Sequence, residues 1–255
     1  MTHLLLAVIY LAFIALGLPD SLLGNGWPVM HLDFRVPLSY AGIVSIIIAM
    51  GTIVASLLSE RATRRYGAGM VTLVSVALTA VGLLAFCFSD HFWQLCFWAI
   101  PYGLGAGGVD AVLNNYVALH YRSHHLNWLH AMWGIGATTG PFIMGWSLAG
   151  KYTWHGGYFV IGVIQVIIVI LLCISLPLWK QQKEEKKTET GEMLSFREVL
   201  SIKGSKEIMT AFFCYCALES TAGLWASSFL VMEHGISEET AAALATLFYT
   251  GITVG

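Results

Sequence analysis

Three acidic residues lie inside long apolar stretches of this chain, where a charge is costly. Asp20 falls within the apolar run from Leu4 to Met30, and Asp110 and Glu219 occupy comparable positions further along. A carboxylate at membrane depth costs about 3 kcal/mol by insertion scales and about 10 kcal/mol or more in simulations. Such a group persists where it faces a polar cavity, finds a partner or carries a proton. The three acids therefore predict a polar interior within the membrane.

Asp20 and Asp110 are the two candidates for carrying a proton. Desolvation disfavours the charged form of a carboxylate, so a buried acid can exchange a proton near neutral pH. A proton-coupled symporter needs this chemistry, because an acid must load a proton on one side of the membrane and release it on the other. Asp110 and Asn114 are four residues apart and therefore share one face of a helix. For both acids, the alternative is a structural hydrogen bond between helices.

Amides, acids and aromatic rings near these positions could recognise a sugar-like solute. Amides and carboxylates hydrogen-bond to hydroxyl groups, and aromatic faces cover the C–H surface of a sugar ring. The candidate substrate-binding residues are Asn25, Trp27, Asn114, Asn115, Asn127, His130, Trp133 and Glu219. Two alternatives stay open. Tryptophans such as Trp27 also anchor helices at membrane interfaces, and His130 could form a gate hydrogen bond instead of a substrate contact.

No metal site and no organic cofactor are expected. Several histidines lie between His120 and His130, but Arg122 and Ser123 interrupt any helix there, and no carboxylate or cysteine joins them. Metal sites in proteins need such ligands at close and regular spacing. The sequence predicts the proton alone, as the coupling ion.

The elements that position these residues have the composition of a membrane protein. Of the 255 residues, 57% are hydrophobic and 11% are charged, against about 25% charged in soluble domains. The apolar runs reach about twenty residues, the length that crosses a bilayer core. We expect an all-α multispanning membrane protein, with the lipid bilayer and a small-molecule substrate as partners and no nucleic acid. The predicted spans are 4–30, 39–59, 69–89, 92–119, 127–149, 156–179 and 207–232, with an eighth beginning near Glu239.

The distribution of positive charge predicts the orientation in the membrane. All thirteen lysines and arginines except Arg35 and Lys151 fall on one side of the predicted spans. Positive charge is retained on the cytoplasmic side, so the N-terminus is predicted to be cytoplasmic. We expect a multi-pass protein of the cell membrane.

A charged linker divides the chain into two unequal parts. The prediction is a six-span N-terminal half at 1–179, a cytoplasmic linker with a short amphipathic helix at 180–206, and the start of a second half at 207–255. Glu219 precedes Gly223 by four residues, as Asp20 precedes Gly24, which suggests an internal duplication. We therefore expect the front portion of a twelve-span protein, monomeric when all twelve spans are present.

The segment after the second span resembles a gating loop of the major facilitator superfamily. Residues 56–65 read SLLSERATRR, and the family pattern is G-x-x-x-D-R-x-G-R-R. Glu60 takes the acidic place, Arg61 the next basic place, and Arg64 and Arg65 the final pair, while serine and threonine replace the two glycines. The resemblance implies the fold of that superfamily and a cytoplasmic charge network that stabilises one gating state. The alternative is simple anchoring by positive charge.

Three stretches resemble the fucose permease-like branch of that superfamily. They are GLPDSLLGNGWPVM in span one, YGLGAGGVDAVLNNYVA in span four and LNWLHAMWGIGATTGP at the start of span five. The resemblance implies proton-coupled sugar uptake, with coupling acids in spans one and four at Asp20 and Asp110. That branch typically has Glu in span four, so Asp110 is a shorter variant.

Two rival functions are weighed against sugar uptake. The stretch from Gly136 to Gly145 partly matches the glycine–proline motif of drug–proton antiporters, although Asn127 stands where that motif has its first glycine. The alternative function is therefore multidrug efflux. A membrane-embedded enzyme is disfavoured, because no nucleophile and base stand at catalytic spacing. We expect no enzyme.

Overall fold

The computed structural model describes residues 2–150, 152–185 and 196–254, and its regular structure there is helical. This confirms the all-α prediction. Part of the predicted linker, residues 186–195, lies outside the described residues. The helices are α1 Thr2–Asp20, α2 Leu22–Asp33, α3 Ala41–Tyr66, α4 Ala68–Cys87, α5 Phe92–His120, α6 His124–Ala149, α7 Thr153–Glu185, α8 Phe196–Ser201, α9 Ser205–His234 and α10 Glu238–Val254, with a short 3₁₀ turn at Leu38–Tyr40.

Six helical segments are long and apolar enough to cross a membrane, so the chain is a multi-pass membrane protein. They are Leu4–Asp33, Leu38–Tyr66, Ala68–Cys87, Phe92–His120, Thr153–Trp179 and Ser205–His234. The predicted span at 127–149 is not among the six, because its glycines and threonines lower its hydropathy. It nevertheless forms α6, whose 26 residues extend about 39 Å.

The first span is broken at the acid it carries. Helix α1 ends at Asp20, one residue after Pro19, and α2 begins at Leu22. Proline has no N–H, so the carbonyl of Ala15 four residues earlier has no partner within its own helix. The buried side chain of Gln165 in α7 donates a hydrogen bond to this carbonyl. Packing against α7 therefore stabilises a break that would otherwise leave a buried acceptor unpaired.

Glycines bring the helices into close contact around this break. In α5, Gly103 lies against Ile48 and Gly107 against Thr52, both on α3. Gly136 of α6 lies against Ile14 of α1 in the same way. A Cβ atom at any of these positions would clash with a neighbouring backbone, so the small residues permit the approach. The glycines of α5 therefore admit α3 as a close neighbour.

The predicted gating loop is helical, which corrects the sequence analysis. Glu60, Arg61, Arg64 and Arg65 all lie in the last two turns of α3, and the turn to α4 is the single residue Gly67. Charged residues with an acid–base pair four apart favour helix continuation. Gly67 has φ +84°, a left-handed conformation that ends a helix most easily at glycine.

Candidate functional site

A cavity of about 220 Å³ lies beside the break in the first span. It is enclosed by helices from the six-span part of the chain and by α9 and α10. Its lining residues are Pro19, Asp20, Leu23, Gly24, Ser45, Ile48, Leu83, Phe86, Tyr102, Trp133, Tyr158, Glu219, Ser220, Gly223, Leu224 and Tyr249. The cavity thus draws residues from both predicted halves of the protein.

Asp20 lies at the wall of this cavity and is held there by an indole. The Nε1–H of Trp133 in α6 donates a hydrogen bond of 2.7 Å to Asp20 Oδ2. The carboxylate also interacts with Tyr102 of α5. Asp20 keeps part of its surface accessible, although protein surrounds it. The arrangement suits an acid that must exchange a proton with a cavity while its carboxylate stays in one place.

Glu219 brings a second acid to the cavity from the opposite wall. It lies on α9 and interacts electrostatically with Asp20. Tyr249 of α10 interacts with both acids, and its hydroxyl packs against Gly223. The structure therefore places Asp20 and Glu219 around one space.

Aromatic side chains form much of the remaining wall. Phe86, Tyr102, Tyr158 and Tyr249 line the cavity with Trp133. The Tyr158 side chain is 1% exposed, and its hydroxyl has no hydrogen-bond partner among the described residues. The sequence analysis named Trp133 but missed the three tyrosines. The available signal was a hydroxyl group inside an apolar span, which is costly to bury without a partner.

Asp110 belongs to a second polar cluster, next to the cavity but not among its lining residues. Asn114 Nδ2 donates a hydrogen bond of 2.9 Å to Asp110 Oδ1, which confirms that the two share a helix face. His130 of α6 interacts electrostatically with Asp110. Since His130 is three residues before Trp133, the two clusters are separated by about 4.5 Å along α6. Asp110 also interacts with Asp20, so polar groups continue from the cavity toward the end of the bundle where α1 begins.

Six of the eight predicted substrate residues do not line the cavity. Asn114 and His130 belong to the neighbouring cluster of Asp110, and the other four lie elsewhere. Asn25 is buried and bonded to the Ser227 hydroxyl and the Ser21 carbonyl. Trp27 is fully buried and donates a 2.7 Å hydrogen bond to the Leu38 carbonyl. Asn115 and Asn127 are exposed and do not line the cavity.

The bundle is closed beside the cavity where α2 meets α9. Gly24 lies against the backbone of Gly223, and the Asn25–Ser227 hydrogen bond follows one residue further along α2. This contact joins the first predicted span to the seventh. It lies on the side of the cavity away from the start of α1.

The charged turns of α3 contain one ion pair. Arg64 Nη2 lies 2.8 Å from Glu60 Oε1, with both side chains about half exposed. An exposed pair of this kind is worth about 0.3–0.5 kcal/mol. Arg65 packs over the ring of Tyr66 at 5.3 Å, and Arg61 is exposed. Glu60 is therefore paired within its own helix. The gating role of Glu60, Arg61, Arg64 and Arg65 stays a prediction.

Metal binding has no geometric support in the part of the chain that the structure describes. There, no three His, Cys, Asp or Glu side chains come together in a way that could hold a metal ion. The histidines instead contact aromatic residues, as His120 does in stacking on Tyr116.

Comparison with known proteins identifies the family. Residues 9–255 match the sequence profile of the Major Facilitator Superfamily. The chain is 22% identical over 271 residues to bypass of stop codon protein 6 of Saccharomyces cerevisiae, covering 95% of this chain and 54% of that protein. It is 22% identical over 260 residues to the cis,cis-muconate transport protein of Acinetobacter baylyi, covering 96% of this chain and 62% of that protein.

A solved structure shares the fold. The crystal structure of a D-xylose-proton symporter superposes with a TM-score of 0.68 at 13% sequence identity, covering 96% of this chain and 65% of that one. The chain thus spans between about half and two thirds of the length of these relatives. At this identity the likeness establishes the fold alone.

Proposed function

The chain belongs to the Major Facilitator Superfamily, and on this premise we propose that it forms part of a proton-coupled importer of a sugar or similar small polar solute. One observation carries the proposal. Asp20, at the broken first span, and Glu219, from the predicted second half, line the same cavity. A secondary transporter needs its site between the two halves that rock against each other, at the depth where its broken helices expose polar groups.

Asp20 and Asp110 are the proposed proton carriers. Asp20 has access to the cavity, and Asp110 lies in the adjacent polar cluster with Asn114 and His130. The two acids interact with each other. A proton taken up at one acid therefore changes the charge felt at the other, which couples the protonation of the two acids. Glu219 is proposed to bind the substrate.

A hydroxylated solute fits the lining of the cavity. Carboxylates and tyrosine hydroxyls offer hydrogen bonds, and the aromatic rings offer apolar surface for C–H groups. The structural neighbour is a D-xylose-proton symporter, and a sugar such as xylose belongs to this class of solute. The finer assignment to the fucose permease-like branch rests on the three sequence stretches alone.

The proposed setting is the cell membrane, with a cytoplasmic N-terminus and a monomeric full-length protein. In this orientation the Gly24–Gly223 contact is on the outer side of the cavity. The outer side is therefore closed between the two halves, and solute would leave the cavity toward the cytoplasm. The charged end of α3, with Glu60, Arg61, Arg64 and Arg65, would then lie at the cytoplasmic surface, as a gating network requires.

Uptake into proteoliposomes tests the proposal. The full-length protein is reconstituted, a pH gradient that is acidic outside is imposed, and accumulation of radiolabelled monosaccharides is followed with and without a protonophore. We expect accumulation above equilibrium that the protonophore abolishes. Equal accumulation with and without the proton gradient would contradict proton coupling.

Multidrug efflux, the export of amphipathic drugs, is the second candidate function. The aromatic lining of the cavity would also accommodate an amphipathic cation, and the small residues from Gly136 to Gly145 pack α6 tightly, as in antiporters that bend this helix. The direction of transport separates the two functions. Expression of an exporter lowers the accumulation of a fluorescent cationic dye in whole cells, whereas the proposed importer leaves it unchanged.

A further inference from the structure

We propose that Glu219 sets the charge preference of the cavity, so that solutes bearing an amino group bind more tightly than neutral ones and solutes bearing a carboxylate are excluded. The inference rests on the proposed function, because it assigns a substrate class to the same cavity. In addition, the substrate is proposed to carry a positive charge, which Glu219 recognises.

The charges around the cavity have one sign. Asp20 and Glu219 line it, and none of the described residues that line it is Lys, Arg or His. Apart from Ser45 and Ser220, the other walls are apolar or aromatic, so water screens the field less within the space than in bulk solvent. An anionic solute would meet like charge there without a compensating cation among the described lining residues. A cationic group would relieve the mutual repulsion of the two acids.

The cavity also has the chemistry of a ligand site independently of its acids. Tyr158 is buried, lines the cavity and leaves its hydroxyl without a partner among the described residues. A buried hydroxyl without a partner destabilises the protein, and a hydrogen bond to a ligand would remove this cost. The faces of Trp133, Tyr102 and Tyr249 favour a cation placed against them. Both features fit a hydroxylated amine.

Glu219 is the acid that remains available to the substrate. The carboxylate of Asp20 already accepts a hydrogen bond from Trp133 and interacts with Tyr102. Glu219 interacts instead with Tyr215, one turn earlier on its own exposed helix face. Because this hydrogen-bond partner lies on its own helix, the side chain can turn to a ligand without breaking a hydrogen bond between helices.

Three pyranoses that differ at one substituent test the inference. A neutral hexose, the corresponding amino hexose and the corresponding uronic acid are each titrated into the purified full-length protein at fixed pH. The rise in the unfolding temperature with sugar concentration measures the affinity for each. We expect the amino sugar to bind about tenfold tighter than the neutral sugar, and the uronic acid to bind at least about tenfold weaker. Glu219→Gln should remove the advantage of the amino sugar and improve binding of the uronic acid.

Two control variants make the result decisive. Glu219→Asp keeps the charge and should keep the ranking, although with weaker binding. Glu207→Gln removes a charge from the first turn of the same helix, outside the cavity, and should leave the ranking unchanged. Tight binding of the uronic acid to the wild-type protein, an unchanged ranking in Glu219→Gln, or no binding of any of the three sugars would overturn the inference. The binding readout needs no proton gradient, so a failure of uphill transport is recorded separately and bears on the proposed function alone.

Discussion

The hydrogen bond from Trp133 to Asp20 is the contact on which the proposed proton site depends. Asp20 follows a proline at a helix end, where the backbone alone does not fix the direction of a side chain. The indole nitrogen of Trp133 fixes it, with a donor–acceptor distance of 2.7 Å. A donor from another helix also ties the acid to α6, so that movement of α6 relative to α1 changes the surroundings of the carboxylate.

Replacing this indole should impair transport without unfolding the protein. Trp133→Phe keeps an aromatic ring but removes the N–H donor, and a hydrogen bond to a charged group is worth about 1.5–3 kcal/mol. We expect the initial rate of proton-driven uptake to fall about tenfold or more. Trp128→Phe is the matched control, because Trp128 is on the same helix and is 56% exposed. Equal rates for the two variants would show that the Trp133 donor has no role.

Two adjacent serines of α9 offer a second test at the scale of single residues. Ser227 donates to buried Asn25, whereas the buried hydroxyl of Ser228 has no partner among the described residues. Ser227→Ala leaves the Asn25 oxygen unpaired and should lower the free energy of unfolding by about 1–3 kcal/mol. Ser228→Ala removes a hydroxyl that is already unpaired and should be neutral or stabilising. Thermal unfolding of the purified variants measures both, and an equal loss in the two would contradict the contact.

At the scale of elements, the broken first span is the feature that builds the site. Pro19 prevents the usual hydrogen bond to the Ala15 carbonyl, and Gln165 of α7 supplies the replacement. The break ends α1 at Asp20 and turns the acid toward the cavity. One proline, one glutamine and one acid on two helices therefore act together.

A double-mutant cycle tests that connection. Gln165→Leu alone should destabilise the protein by about 1–3 kcal/mol, because the buried carbonyl loses its donor. In a Pro19→Ala background the helix supplies its own N–H, so the same substitution should cost less. Unfolding midpoints of the four proteins give the coupling energy. Additive effects within about 0.5 kcal/mol would mean that Gln165 does not compensate for the proline.

The sequence predicted the elements better than the contacts between them. Apolar runs of membrane-spanning length predicted the helices, because hydropathy is a local property. The break after Pro19 is local too, since proline removes a hydrogen bond within its own helix. The predicted end of the second span at residue 59 was wrong for the helix. The charged turns continue α3 as far as Tyr66. Hydropathy reports transfer into lipid, and helices extend beyond the hydrocarbon core.

The site was predictable only where burial was anomalous. Asp20 and Glu219 stood out because a charge in an apolar run needs an explanation. Tyr158 and Tyr249 did not, since tyrosine is common in membrane helices and only the packing of five or more helices places these two at the cavity. Asn25 and Trp27 were expected at the substrate but are bonded within helix contacts, because a polar side chain in a span can satisfy another helix equally well.

At the scale of the whole molecule, the cavity joins two parts of the chain that are distant in sequence. Asp20 comes from the first span and Glu219 from the seventh predicted span, and the α2–α9 contact beside them closes one side. Rocking of one half on the other would open this contact and change access to both acids. Proton coupling and substrate binding would then depend on the same movement.

The Asp20→Asn variant tests this account most directly. Its uphill accumulation of solute and its counterflow are measured in the same proteoliposomes. Asparagine keeps the shape and accepts the Trp133 hydrogen bond but cannot carry a proton. We predict that accumulation driven by a pH gradient is lost, while exchange of labelled for unlabelled solute continues, because exchange needs no net proton movement. Asp90→Asn, at an exposed turn, should retain both activities. Full proton-driven accumulation by Asp20→Asn would contradict the assignment of Asp20 as the proton site.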